Sequence, residues 1–130
     1  MRTGRANVYI VDDDSSVRRG LARVIRSADL EAVAFASADD FFQSDFETRN
    51  SCLVADAKMP GSGGLDMLTR LRKERINIPV IVVTAHDDPK TRMDANDAGA
   101  IGYFRKPVDS EALLDAITWA LGSRDETKRT

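Results

Sequence analysis

Short apolar runs alternate along the chain with segments in which apolar residues recur every three or four positions. Val8-Tyr9-Ile10-Val11 is continuous, β-rich and ends abruptly in Asp12-Asp13-Asp14. Val17, Leu21, Val24, Ile25 and Ala28 then line one face of a helix, with Asp14 or Ser15 as its N-cap. Ala32 to Phe35 reads as a weaker strand, and Asp39-Asp40 opens a short helix carrying Phe41, Phe42 and Phe46. Cys52-Leu53-Val54-Ala55 repeats the first pattern and again ends on an aspartate, Asp56. Turn residues from Met59 to Gly64 separate it from a helix marked by Leu65, Leu68 and Leu71. Pro79 leads into the clearest strand, Val80 to Val83, which closes at Thr84-Ala85. Pro89 to Ala98 has helical spacing but few large apolar side chains, Met93 being almost alone. Ile101 to Phe104 forms the last strand and Lys106-Pro107 closes it. Asp109 then caps a final helix with Leu113, Leu114, Ile117 and Leu121 inward, and Gly122 is the expected stop.

Continuous apolar strands between amphipathic helices predict an α/β fold of βα units, a doubly wound parallel sheet covered on both faces. The pattern supplies five strands and five helices. Residues 5–122 are read as the domain, and 123–130 as a polar tail or the start of a linker. The 130 residues suit one core, and 42% hydrophobic with 31% charged is a soluble globular composition. Nineteen basic against 21 acidic residues leave a net charge of -2, so direct nucleic-acid contact by this domain is not expected. The single Cys52 and single His86 exclude an internal disulfide and a Cys/His zinc site. No stretch approaches a membrane span, and the expected location is the cytoplasm.

In a doubly wound sheet ligands bind beyond the carboxyl ends of the strands, where strand order reverses. Those ends carry Asp12, Asp13, Asp56, Thr84 and Lys106. If the first and third strands are neighbours the carboxylates converge, and two of them about 4 Å apart repel by roughly 4 kcal/mol. Such a cluster binds a cation, holds a proton or is unstable. An oxygen-only donor set suits Mg2+ (magnesium) beside a phosphate, and Asp56 is a carboxylate able to form an acyl phosphate. Each residue also has a plainer reading. Asp12 to Asp14 can be a helix-capping run, Asp56 a turn residue, Thr84 a strand residue and Lys106 a solvated turn lysine. Their joint placement at strand ends of one sheet favours the chemical reading.

With Val11-Asp-Asp-Asp14, Asp56-Ala-Lys-Met-Pro-Gly61, Gly64-Leu65, Thr84-Ala85 and Ala98-Gly-Ala-Ile-Gly-Tyr-Phe-Arg-Lys-Pro107, the chain resembles the receiver (CheY-like) domains of two-component response regulators. The resemblance covers about residues 7 to 121, and Asp56 to Pro60 with Thr84 to Asp87 look most like the FixJ/NarL type. It implies a flavodoxin-like sheet of order 2-1-3-4-5 and a cis Lys106-Pro107 bond. Asp56 would be the phosphoacceptor. Mg2+ would be held by Asp13, Asp56 and the Lys58 backbone carbonyl, with Asp12 acting through water. Thr84 and Tyr103 would be the switch pair, Lys106 the phosphate-sensing cation, and Lys58 and His86 would tune phosphate lifetime. Val108 and Asp29 depart from the commonest pattern, where Phe and Gly are frequent.

The implied function is a signalling switch that takes a phosphoryl group from a sensor histidine kinase onto Asp56. It would catalyse only its own phosphorylation and dephosphorylation, with no external substrate. Thr84 would be drawn inward, letting Tyr103 turn from solvent to interior and moving the face of the fourth helix, fifth strand and fifth helix. The output would be an event such as control of transcription, with a homodimer forming on phosphorylation, and the chain is read either as a single-domain regulator or as a piece of a longer one with a C-terminal output domain. For Tyr103 the plainer reading is a half-buried strand tyrosine, and for His86 a surface loop residue. Trp119 falls off the core face of its helix, as a partner contact or simply along the surface. Arg18, Arg19, Arg23 and Arg26 either help dock a kinase or form a solvated basic face. Two other functions compete. Asp12-x-Asp14-x-Ser16 loosely echoes the nucleophile motif of haloacid-dehalogenase-like phosphatases, and a receiver-like module could bind partners without phosphorylation.

Overall fold

Five parallel strands form one sheet in the order β2-β1-β3-β4-β5: β1 (Asn7–Val11), β2 (Glu31–Phe35), β3 (Ser51–Asp56), β4 (Val80–Thr84) and β5 (Gly102–Arg105). They are joined by α1 (Ser15–Ser27), α2 (Ala38–Phe42), α3 (Gly64–Lys73), α4 (Pro89–Asp97) and α5 (Ser110–Arg129). The computed structural model describes residues 5–129, with side chains as far as Gly122. This is the expected flavodoxin-like, doubly wound arrangement. β1, β3 and β4 are buried at every position, which is why they read as unbroken apolar runs. The edge strands β2 and β5 are only partly covered.

Alternation along the strands divides the core into two layers. Tyr9, Val11, Leu53, Ala55 and Val82 face α2, α3 and α4, where Phe41, Met67, Leu71 and Ala95 meet them. Val8, Ile10, Cys52, Val54 and Ile81 face the other way, onto Leu21 and Ile25 of α1 and Leu113 and Ile117 of α5. Full burial of one such aliphatic or aromatic side chain contributes about 1.5–3 kcal/mol. Asp14 is the N-cap of α1, accepting from the amides of Ser16 and Val17. Asp29 adopts φ 63°, a left-handed conformation open to an aspartate, and pairs with Arg5 at 3.2 Å.

Several sequence expectations need correction. Ala22 lies on the buried face of α1, whereas Ala28 is its exposed C-cap. α2 ends at Phe42, so Phe46 is not helical; it stacks on Phe41 from the following loop with ring centres 4.3 Å apart. α4, by contrast, is as poor in apolar burial as its sequence suggests: Met93 is 62% exposed, and Thr91 and Ala95 are the residues buried there. α5 passes through Gly122 to Arg129, because that glycine faces open space and an exposed helical glycine costs only about 1 kcal/mol. The polar tail read from Ser123 onward therefore begins within a helix; its side chains and Thr130 lie outside the described residues. Among the described residues no helix is long and apolar enough to cross a membrane.

Candidate functional site

The chain runs from β1 to one side of the sheet and returns to β3 on the other, leaving a crevice at the carboxyl ends of these strands. Backbone bonds just past the strand ends set the residues that line it. The Asp12 amide donates to the Phe35 carbonyl at 3.1 Å, the Ala57 amide to Val83 at 2.8 Å and the Lys106 amide to Thr84 at 2.8 Å. Val11 lies beside Ala55 and Asp56 beside Val83 in the parallel register. Carboxylate oxygens of Asp12, Asp13 and Asp56 consequently lie within 4.8 Å of one another.

The loop after β3 also depends on close approach. A Cβ on Gly63 would sit 2.2 Å from the Ala57 carbonyl oxygen, and one on Gly64 2.9 Å from that of Asp56. Larger residues at either position would push α3 away from the end of β3. The Lys58 amide donates to Asp56 Oδ1 at 3.2 Å, orienting the carboxylate, and the Lys106-Pro107 bond is cis.

Charge at the site is concentrated and incompletely matched. Lys106 Nζ lies 2.8 Å from Asp12 Oδ2 and 3.3 Å from Asp56 Oδ2, one ammonium shared by two carboxylates. Asp12 is fully buried and also accepts the Asp14 amide at 2.9 Å, while Asp13 is exposed. Burial pushes the Asp56 carboxyl above its ordinary pKa, against the opposing pull of the Lys58 amide and Lys106. Burial acts to lower the Lys106 ammonium, yet the hydrogen bond and charge of Asp12, with Asp56 beside it, hold it above its ordinary value. An oxygen-only set with excess negative charge fits a hard divalent cation.

Thr84 is completely buried and its Oγ1 accepts the His86 amide at 3.0 Å, while the His86 side chain is exposed. Tyr103 stands apart from the acid cluster. Contrary to the expectation of a solvent-facing ring, its hydroxyl is enclosed with no hydrogen-bond partner among the described residues, and the Arg92 guanidinium lies 5.0 Å from the ring centre. Burial first, then the nearby Asp87 carboxylate, raises the phenol above its ordinary pKa. Trp119 is 61% exposed. Asp14 is exposed and engaged as a helix cap, bonded to Ser16 Oγ at 2.8 Å, which leaves it unsuited to the phosphatase role that Asp12-x-Asp14 suggested.

Two contributors were missed from sequence. Arg18 donates to the Asp12 carbonyl at 2.7 Å, steadying the acid loop from α1. Asp88 caps α4 and lies 3.6 Å from Lys58 Nζ. An aspartate directly before a proline at a helix start was a legible capping signal for Asp88.

Comparison with known proteins finds the response regulator receiver domain matching residues 8–118. Nodulation protein W of Bradyrhizobium diazoefficiens is 42% identical over 125 residues, covering 96% of this chain and 55% of that protein. The transcriptional regulatory protein FixJ of Azorhizobium caulinodans is 34% identical over 122 residues, 94% of this chain and 58% of that protein. Among solved structures, FixJ-N superposes with a TM-score of 0.83 at 34% identity, covering 94% of this chain and 96% of that one. The response regulator StyR gives 0.86 at 38% identity, covering 97% of this chain and 64% of that one. This chain spans about half the length of the curated relatives it matches.

Proposed function

Since this chain belongs to the response regulator receiver domain family, we infer that it is a phosphorylation-controlled switch with Asp56 as the phosphoacceptor. The observation that carries this reading is the position of Asp56 at the end of β3, inside the acid cluster and sharing Lys106 with Asp12. An Asp56 oxygen attacks the phosphorus of a kinase phosphohistidine, the P–N bond breaks, and an acyl phosphate forms. Attack of water on that phosphorus later releases inorganic phosphate and restores the carboxylate. Phosphoryl transfer needs in-line positioning and charge stabilisation more than covalent help. Lys106 Nζ neutralises developing charge from beside Asp56, and the Lys58 amide holds the carboxylate in line. Thr84 offers a hydroxyl to a phosphoryl oxygen. Asp13 and Asp56, the Lys58 carbonyl and, through water, Asp12 would hold Mg2+, which when bound supplies positive charge to the phosphoryl oxygens.

Residues 5–122 form the receiver unit in this reading, and its partners are a sensor histidine kinase and an output domain of the FixJ type, in the cytoplasm. Thr84 and Tyr103 act as the switch, and Lys58 and His86 set the phosphate lifetime. Because the Tyr103 hydroxyl is already enclosed, the switch consists of a change in its partners and in the packing of α4 and β5 rather than a swing in from solvent. The test is intact mass after incubation with acetyl phosphate and Mg2+. A metal-dependent gain of about 80 Da, one phosphoryl group, is expected in the wild type and absent in Asp56→Asn. No adduct, together with no binding of beryllofluoride, would overturn the reading in favour of a module that works without phosphorylation.

A further inference from the structure

The ion pair between Lys58 and Asp88 has no part in the chemistry above. Its atoms, Lys58 Nζ and Asp88 Oδ2, are 3.6 Å apart. Lys58 stands two positions after Asp56, beyond β3, and Asp88 four positions after Thr84, beyond the neighbouring β4. The pair therefore ties together the two loops that leave these strands on the side of the acid cluster.

Each partner is anchored to a different functional element. The Lys58 amide donates to Asp56 Oδ1 at 3.2 Å, which fixes its backbone beside the reacting carboxylate. Asp88 Oδ1 accepts the Thr91 amide at 2.7 Å and its Oδ2 accepts the Thr91 hydroxyl at 3.1 Å. One carboxylate thus closes the start of α4 and holds the ammonium that grows out of the phosphorylation loop.

We propose that Asp88 is a positioning residue for this site, a latch that holds the Lys58 ammonium away from Asp56 at rest and yields it to a phosphoryl group there. The inference rests on Asp56 being the phosphoacceptor. Phosphorylation brings a charge of about -2 and three acceptor oxygens. Lys58 carries a compact ammonium on a flexible four-carbon stem and then faces two competing anions. Its backbone anchor keeps it within reach of the new one. Once transferred, the lysine stem covers the approach to phosphorus and slows the attack of water. Asp88 retains its bonds to Thr91, so α4 stays capped while its tie to the β3 loop is cut. Phosphorylation is in this way communicated to a helix that buries only Thr91 and Ala95.

Asparagine caps a helix as well as aspartate but carries no charge, so Asp88→Asn separates the latch from the cap. The measurement is the half-life of the acyl phosphate, followed by intact mass after acetyl phosphate is removed at constant Mg2+. Asp88→Asn is expected to lengthen it about two- to fivefold, the range of an exposed ion pair. The effect should vanish in a Lys58→Met background and shrink near 1 M salt, where screening acts over about 3 Å. An unchanged half-life, or an equal change without Lys58, would overturn the latch and leave the phosphoacceptor reading standing. Loss of phosphoryl uptake in Asp88→Asn alone would also overturn it, because a latch that only restrains Lys58 is not needed for transfer. No uptake by the wild type would remove both.

Discussion

The crevice at the ends of β1 and β3 and the face formed by α4 and β5 adjoin each other but are secured in opposite ways. β1, β3 and β4 are buried along their whole length, and the residues at their ends are tied by backbone bonds to neighbouring strands. α4 buries only Thr91 and Ala95, and every residue of the edge strand β5 keeps some exposure. Met93, the one large apolar side chain within α4, points outward. The acid cluster is thus set in the firmly packed region, while displacement of the other would expose little apolar surface. Local opening free energies follow burial and packing, so in the proposed switch a change of charge at Asp56 would act beside elements held by little apolar burial.

Paired truncations would break this comparison most forcefully. Leu53→Ala in β3 should cost roughly 3 kcal/mol, the cavity penalty of a fully buried leucine. Met93→Ala should stay within about 0.5 kcal/mol, as expected of an exposed side chain. Chemical denaturation of both variants checks the contrast, and equal costs would mean that α4 is anchored in a way its burial does not reveal.

A smaller effect concerns the charges that the rigid region holds. Lys106→Met leaves Asp12 buried without its ammonium and should cost about 2 kcal/mol at neutral pH. The Lys106 pKa is raised in the folded state, so its contribution is complete below the ordinary lysine value of 10.5 and is lost as pH rises through the higher folded value. Thermal melts against pH should therefore show the wild type and the variant converging in alkali. A constant gap would mean that packing of the lysine stem, rather than its charge, supplies the stability.

The legible parts of the molecule were those in which neighbouring residues share one environment. Val8 to Val11, Cys52 to Ala55 and Val80 to Val83 are buried on both faces, so their apolar runs are uninterrupted and their polar ends stand out. That made Asp12, Asp56, Thr84 and Lys106 findable, because a doubly wound sheet brings its strand ends together. Features created by one long-range contact left no such trace. Phe46 resembled a helix residue because its spacing from Phe42 is helical, yet the chain leaves the helix and returns the ring to Phe41. Ala95 and Thr91 were overlooked as anchors because small residues add little to a hydrophobic pattern. The Lys58–Asp88 pair depends on two loops meeting, and Tyr103 depends on how Arg92 lies over its ring.

The most direct test of the link between a rigid site and a loosely held face is amide hydrogen exchange with and without beryllofluoride and Mg2+, with Asp56→Asn as the control. The expected result is a change of protection concentrated in residues 89–105, with β1 and β3 unaltered and no response in the control. A response spread evenly over the sheet, or none in α4 and β5 despite bound beryllofluoride, would contradict the account.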